Sequence, residues 1–321
     1  MTPMKVAVLD DWSGTARQMA DWSNAGDVTF FGEPIPAVAL PQKLAPFDAI
    51  CLMRERTAVT ADLIAALPNL KLIVTTGPRN ASIDIKAAQA RGITVCGTQS
   101  RKTTTSELTL GMILTQCRGL VAESARIEAG GFQGPPGRDL ADLRVGLVGL
   151  GNVGQQVATL AKAFGSTVSA WSPNLTQDRA AAAGVGYAQA LTELAAQSDV
   201  LSIHMVMAEA TRDLIGRAAL AALPRGAIVV NTSRAGLLDR AALFDWLADD
   251  PTAQAAIDVF EAEPLAPDDP WRKARTRFGT RLLLTPHLGY ATEATWRLFY
   301  TQTVEAIGAY RAGSPIRVIE G

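Results

Sequence analysis

Arg234, Glu263 and His287 each stand just past the end of an apolar run, in AIVVNTSR, AQAAIDVFEAE and RLLLTPH. In an open α/β sheet, ligands are handled where strands end, so a cation, a carboxylate and an imidazole delivered there describe a reaction centre. A guanidinium is a planar fork suited to carboxylate oxygens. An imidazole gives and takes a proton near neutral pH. A neighbouring carboxylate would orient that ring. All three residues lie downstream of one glycine-rich turn, and the chain has a single further histidine, His204.

That turn is Gly149-Leu150-Gly151-Asn152-Val153-Gly154, which follows a β-rich run directly and opens a helical pattern. The first glycine permits a tight turn, the second lets backbone approach a pyrophosphate, and the third lets helix and strand pack closely. The spacing alone is weak, but a strand before it and a helix after it point to dinucleotide binding. A carboxylate at the end of the next strand, TVSAWS, would select a free ribose 2′-hydroxyl; Ser172 stands there instead, followed by Pro173, Asn174 and Thr176. Neutral donors tolerate a 2′-phosphate, although no arginine is immediately adjacent. The cofactor expected is NAD or NADP, with a lean to NADP.

The elements that must carry these residues form two βα series. KVAVLD, VTFFG, AICLMR, KLIVTTG and ITVCG alternate with helical segments; RVGLVGL, TVSAWS, VLSIHM, AIVVNTS, AQAAIDV and RLLLTPH do so again. Between the two series, positions 104–129 read as one long helix. The final segment, TEATWRLFYTQTVEAIGAYRAG, is an apolar-striped helix with no strand after it, so it must pack on something already built. The expected fold is α/β with two Rossmann-like parallel-sheet domains. Residues 1–101 plus 291–321 form a discontinuous substrate domain, and 102–290 form an inserted NAD(P)-binding domain.

The 321 residues, 48% hydrophobic and 19% charged, describe a chain able to bury a substantial core. A net charge of −1 gives no long-range attraction to nucleic acid or anionic membrane. The most basic tract, Trp271 to Arg281, reads as a solvated loop. No apolar run approaches the ~20 residues of a membrane span, and the opening MTPMKVAVLDDW reads as a strand rather than a leader, which implies a cytoplasmic protein. Cys51, Cys96 and Cys117 sit in separate apolar runs and read as packed thiols, with no metal site expected.

GLGNVG, LSIHM, NTSRAGLLD, AIDVFEAEP and TPHLGYAT, with IDIKAAQARGITV and TSELTLGMIL before them, resemble the ordered motifs of the D-isomer-specific 2-hydroxyacid dehydrogenases, the family of phosphoglycerate dehydrogenases and glyoxylate/hydroxypyruvate reductases. The resemblance spans nearly the whole chain. It implies hydride transfer between NAD(P)H and a small 2-keto acid, giving the D-2-hydroxy acid. Arg234 would then anchor the substrate carboxylate and carbonyl, and His287 would move the proton. The family pattern places the histidine's partner immediately before proline, which selects Glu263 over Glu261. Asp258 matches the residue at the nicotinamide carboxamide, and Thr104, His204, Asn231, Thr232 and Gly289 match positions lining the cofactor. His204 reads equally well as structural. A homodimer is also implied, built on the apolar helix at 104–129.

The resemblance has departures. The family's substrate loop is usually glycine-rich, whereas here it reads Gly77-Pro78-Arg79-Asn80: Pro78 removes a backbone donor and Arg79 adds bulk and charge. Arg54 and Arg56 match positions that in some relatives approach the substrate's distal group. These arginines would suit a second acidic group, or else form surface ion pairs. Val206 replaces a family proline, and Tyr290 stands where a second glycine is frequent. Glu263 argues against a formate-oxidising enzyme, which carries an amide there, and Pro78 against a phosphite-oxidising one, which carries a lysine. A cofactor-sensing binding protein of the corepressor type would share the same residues, and turnover distinguishes it.

Overall fold

The computed structural model describes residues 3–321 and divides the chain into two compact units, Met1–Arg101 with Ala291–Gly321, and Lys102–Tyr290.

The first unit is a parallel sheet of β1 (Lys5–Val8), β2 (Asp27–Phe30), β3 (Ala49–Leu52), β4 (Leu72–Thr75) and β5 (Thr94–Gly97), in the order β2-β1-β3-β4-β5. Strands β3 and β4 are buried at every residue, as expected of central parallel strands covered on both faces. Helices start where the sequence supplies caps: Thr60 and Asp84 accept backbone N–H groups at the heads of Ala61–Ala66 and Ile85–Ala90. The C-terminal helix Glu293–Arg311, capped by Thr292, packs on β4 and β5 and buries Trp296, Phe299, Tyr300 and Ile307. Beyond it the chain does gain extended pairing: Val318 bridges Cys96 antiparallel, and Ile319 N–H donates to Val95 O at 2.8 Å.

The second unit is a seven-stranded parallel sheet of β6 (Arg144–Val148), β7 (Thr167–Trp171), β8 (Gly186–Tyr187), β9 (Val200–Ile203), β10 (Ile228–Asn231), β11 (Gln254–Ile257) and β12 (Leu282–Leu284). Its order is β12-β11-β10-β9-β6-β7-β8, so the winding reverses between β6 and β9. That reversal opens a crevice at the carboxyl ends of the strands, the usual place for a dinucleotide.

Two further expectations need correction. Positions 104–129 form two helices, Thr104–Arg118 and Leu120–Glu128, because Gly119 between them is left-handed at φ 60° and closes the first with a glycine cap. The basic tract is the helix Pro270–Phe278 rather than a loop. Asp269 caps it, Pro270 occupies its first turn, and Trp271, Ala274 and Phe278 are buried at i, i+3 and i+7. Arg281 then donates from one nitrogen to the carbonyls of Leu247, Asp250 and Ala253. Cys51, Cys96 and Cys117 are buried and unbridged.

Candidate active site

The crevice in the second unit is made by its glycines. Gly149 has φ +103° and donates its N–H to Trp171 O at 2.8 Å, turning the chain immediately after β6. A Cβ on it would lie 2.6 Å from the His204 carbonyl oxygen. A Cβ on Gly154 would strike the Gly149 carbonyl, so helix and strand approach as closely as backbone allows. A Cβ on Gly151 would meet nothing within 4 Å, which leaves room directly above the helix start. The helix Asn152–Ala163 begins there with no side-chain cap, and the N–H groups of its first turn have no intrahelical acceptors. These features fit the pyrophosphate of a dinucleotide.

Ser172 follows β7 and is part-buried, its carbonyl accepting from Leu175 N–H at 3.1 Å. Arg179, on the helix capped by Thr176, folds back so that Nη1 donates to Asn174 O at 3.1 Å. The structure therefore brings to the Ser172–Asn174 loop a cation that is not adjacent in sequence. His204 Nε2 lies 2.9 Å from Ser202 Oγ, and burial pushes the imidazole down to about 4, so it is neutral at physiological pH. Its contribution to the crevice is the carbonyl packed on Gly149. Thr232 is buried with its hydroxyl 2.7 Å from that of Thr109, and Thr104 is buried in the first turn of Thr104–Arg118.

Arg234, Glu263 and His287 follow β10, β11 and β12, which are consecutive neighbours in the sheet. After β10, Asn231 ties the turn together: its Nδ2 donates to Arg234 O at 3.0 Å and its Oδ1 accepts from Ser233 N–H at 3.0 Å. Ser233 Oγ anchors to Met205 O at 2.6 Å. Arg234 emerges from this fixed turn, exposed, with Nη1 donating to Ser233 O at 2.8 Å.

After β11, Glu263 Oε1 accepts the Phe260 N–H at 2.9 Å, which bends the loop and aims Oε2 at His287 Nδ1, 2.6 Å away. Both side chains are largely shielded, at 26% and 21% exposure, where a charge-assisted bond is stronger than on an open surface. Glu261 turns elsewhere, accepting from Trp271 Nε1 at 2.9 Å and pairing with Arg240 at 3.5 Å.

After β12, His287 sits at φ +53°, a left-handed conformation that a non-glycine residue holds only when its surroundings impose it. Asp258 supplies much of that constraint. Its Oδ1 accepts from Thr285 Oγ1 at 2.6 Å and Leu288 N–H at 2.7 Å, and its Oδ2 from Gly289 N–H at 2.8 Å. The carboxylate thus grips the loop on both sides of His287. Burial raises Asp258, while Thr285, the two backbone donors and the charge of His287 oppose that rise. A carboxylate has about four acceptor positions, so three loop donors leave room for one more. Gly289 is buried, and its carbonyl accepts from Thr105 Oγ1 at 3.0 Å. Sequence reasoning missed Thr285, Thr105 and Ser233, whose hydroxyls only acquire partners once distant strands are side by side.

In the first unit, Arg54 is left-handed at φ 55°. Thr76 Oγ1 accepts its N–H at 2.8 Å, and Asn80 Nδ2 donates to its carbonyl at 2.6 Å. Its guanidinium lies against Gly77, where a Cβ would collide with Nη1. Gly77 N–H donates to Thr98 Oγ1 at 2.7 Å, so, with proline next, neither of the loop's first two residues offers a backbone donor to a ligand. Pro78 and Arg79 are exposed. Arg56 lies over the Trp12 ring at 3.8 Å and donates to Asp10 O at 2.9 Å, rather than forming only a surface ion pair.

Residues 110–289 match the family model described as D-isomer specific 2-hydroxyacid dehydrogenase, NAD binding domain. A hydroxypyruvate reductase of Thermotoga maritima is 33% identical over 268 residues, 83% of this chain and 85% of that protein.

The chain belongs to the D-isomer specific 2-hydroxyacid dehydrogenase family.

A D-3-phosphoglycerate dehydrogenase of Methanocaldococcus jannaschii is 32% identical over 84% of this chain, which spans only half of that longer protein. A phosphoglycerate oxidoreductase from Vibrio cholerae superposes with a TM-score of 0.89 at 32% identity, covering 97% of this chain and 100% of that one. The two parallel sheets are thus the two-domain fold of this family, and the protein is an oxidoreductase of the NAD-dependent 2-hydroxyacid dehydrogenase type. No helix among the described residues is long and apolar enough to cross a membrane.

Proposed function

We propose that this protein reduces a small 2-keto acid to the D-2-hydroxy acid with NAD(P)H, and catalyses the reverse oxidation. The 2.6 Å pair between His287 Nδ1 and Glu263 Oε2, on the loops after β12 and β11 and next to the Arg234 turn after β10, carries the reading. Arg234 binds the substrate carboxylate and carbonyl oxygen with its planar fork, orienting the carbonyl carbon. Nε2 of His287 gives its proton to the developing alkoxide in reduction and takes it back in oxidation. Glu263 holds the ring by its other nitrogen and stabilises the imidazolium. Gly149, Gly151, Asn152, Val153 and Gly154 hold the cofactor pyrophosphate, and Asp258 has an acceptor position for the carboxamide. When bound, the nicotinamide supplies or accepts the hydride.

Ser172 and the nearby Arg179 support a preference for NADP, since a neutral hydroxyl and a guanidinium suit a 2′-phosphate. A homodimer is supported by the helix Leu120–Glu128, which buries no residue of its own; Leu120 and Ile127 are each 54% exposed and Phe132 84%.

The test is turnover, read at 340 nm, of glyoxylate, hydroxypyruvate, pyruvate, phenylpyruvate and oxaloacetate with NADH and NADPH. At least one pair should be reduced to the D-hydroxy acid. No oxidation of either cofactor by any of the five would overturn the reading.

A further inference from the structure

Among the groups bordering the His287 imidazole and its loop are Glu263 on Nδ1, Asp258 on the flanking peptides, and the ring of Tyr290. The Tyr290 ring lies with its centroid 5.3 Å from that of the imidazole, at an interplanar angle of 70°. That is an edge-to-face aromatic contact. Neither of the other two groups by itself fixes the tilt of the ring. Asp258 fixes the peptide planes around His287 but touches no ring atom in its bonds, which go to Thr285, Leu288 and Gly289. Glu263 holds one ring atom, and an imidazole pinned at a single nitrogen can still rock about that bond, swinging Nε2.

We propose that Tyr290 is the positioning residue that stops this rocking, so that Nε2 of His287 stays aimed at the reacting oxygen. This rests on His287 being the acid–base group. Three independent restraints then act on one histidine: a carboxylate on its loop, a carboxylate on its ring nitrogen, and an aromatic wall on its ring. The aromatic wall comes from the loop that His287 itself occupies with a left-handed backbone at φ +53°. Tyr290 supplies it, three residues on and beyond the buried Gly289.

A positioning role predicts a particular kinetic pattern, because a small misplacement of a catalytic group costs rate rather than affinity. Tyr290→Ala should lower kcat about tenfold while leaving the KM for the keto acid and the Kd for NADPH within twofold. Tyr290→Leu, which refills most of the volume without an aromatic face, should fall with the alanine variant. Tyr290→Phe should keep at least half of the wild-type kcat. The primary isotope effect with 4-deuterated cofactor should rise in the Ala and Leu variants as chemistry becomes slower than release. A kcat unchanged in Tyr290→Ala, a loss in Tyr290→Phe equal to that in Tyr290→Ala, or a loss confined to NADPH binding would each overturn the proposal. Wild-type turnover with His287→Ala inactive and Tyr290→Ala fully active would sink this inference alone; absence of wild-type turnover would sink the functional reading beneath it.

Discussion

Nδ1 of His287 lies 2.6 Å from Oε2 of Glu263, although the two are 24 residues apart and leave the sheet from different strands. The contact is made by neighbouring β11 and β12, whose register pairs Ala255 with Leu282 and Ile257 with Leu284. A one-residue slip in that register would turn the side chains of β12 to the opposite face of the sheet. The sheet therefore does more than support the pair; it sets the separation on which the proposed proton transfer depends.

The close approach at Gly154 makes the proposed cofactor site sensitive to one methyl group. Gly154→Ala should weaken NADPH binding at least about tenfold and destabilise the second unit by about 1–3 kcal/mol, because the new Cβ meets the Gly149 carbonyl, a backbone atom that cannot rotate away. Fluorescence titration and thermal melting measure both. Gly151→Ala, which has open space, should cost little stability while still affecting the cofactor.

His204 makes stability fall on the acid side. Its folded value of about 4 lies below the ordinary histidine value of 6.5, so the unfolded chain takes up a proton that the folded protein refuses. The contribution is complete above pH 6.5, is lost as pH falls, and levels off below about 4. By this linkage the wild type loses about 2 kcal/mol from this group between pH 7.5 and 5. Urea unfolding at those two pH values should show His204→Gln losing that much less than the wild type.

Arg179 offers a test of cofactor choice. If its guanidinium, held at Asn174 O, also receives a 2′-phosphate, Arg179→Ala should lower the ratio of kcat/KM for NADPH over NADH by roughly 10-fold or more, the worth of one charge-assisted hydrogen bond. The rate with NADH should barely move. An unchanged ratio would remove Arg179 from the adenosine site.

Light scattering at micromolar concentration should return twice the 33.9 kDa chain mass. Ile127→Lys, on the helix with no buried residue, should shift the protein toward the single-chain mass without lowering the second unit's melting temperature by more than a few degrees. A wild-type protein of single-chain mass would count against the dimer.

Much of this was legible in the sequence because its signals are local. The strands announce themselves as apolar runs, GLGNVG carries its own turn, and proline marks which glutamate follows the family pattern. What stayed hidden depends on partners brought together by folding. The five-residue separation of Asn174 from Arg179 conceals a cation that a helix returns to the loop. The two-residue strand Gly186–Tyr187 is too short to carry a period. Charge masked the apolar stripe Trp271, Ala274 and Phe278, although Asp269-Pro270 ahead of it was a readable helix start. Gly119 was visible but reads alike as a tolerated interior glycine or a break; only its left-handed φ decides.

The most direct measurement is the single-turnover rate of keto-acid reduction in His287→Ala beside the wild type, with NADPH binding measured on the same samples. General acid–base catalysis contributes about 10²- to 10⁴-fold, so the variant should lose at least about a hundredfold in rate while its NADPH Kd stays within twofold. A variant that reduces the substrate at a rate within a few-fold of wild type would contradict the role given to His287, and with it the acid–base pair on which the proposed function stands.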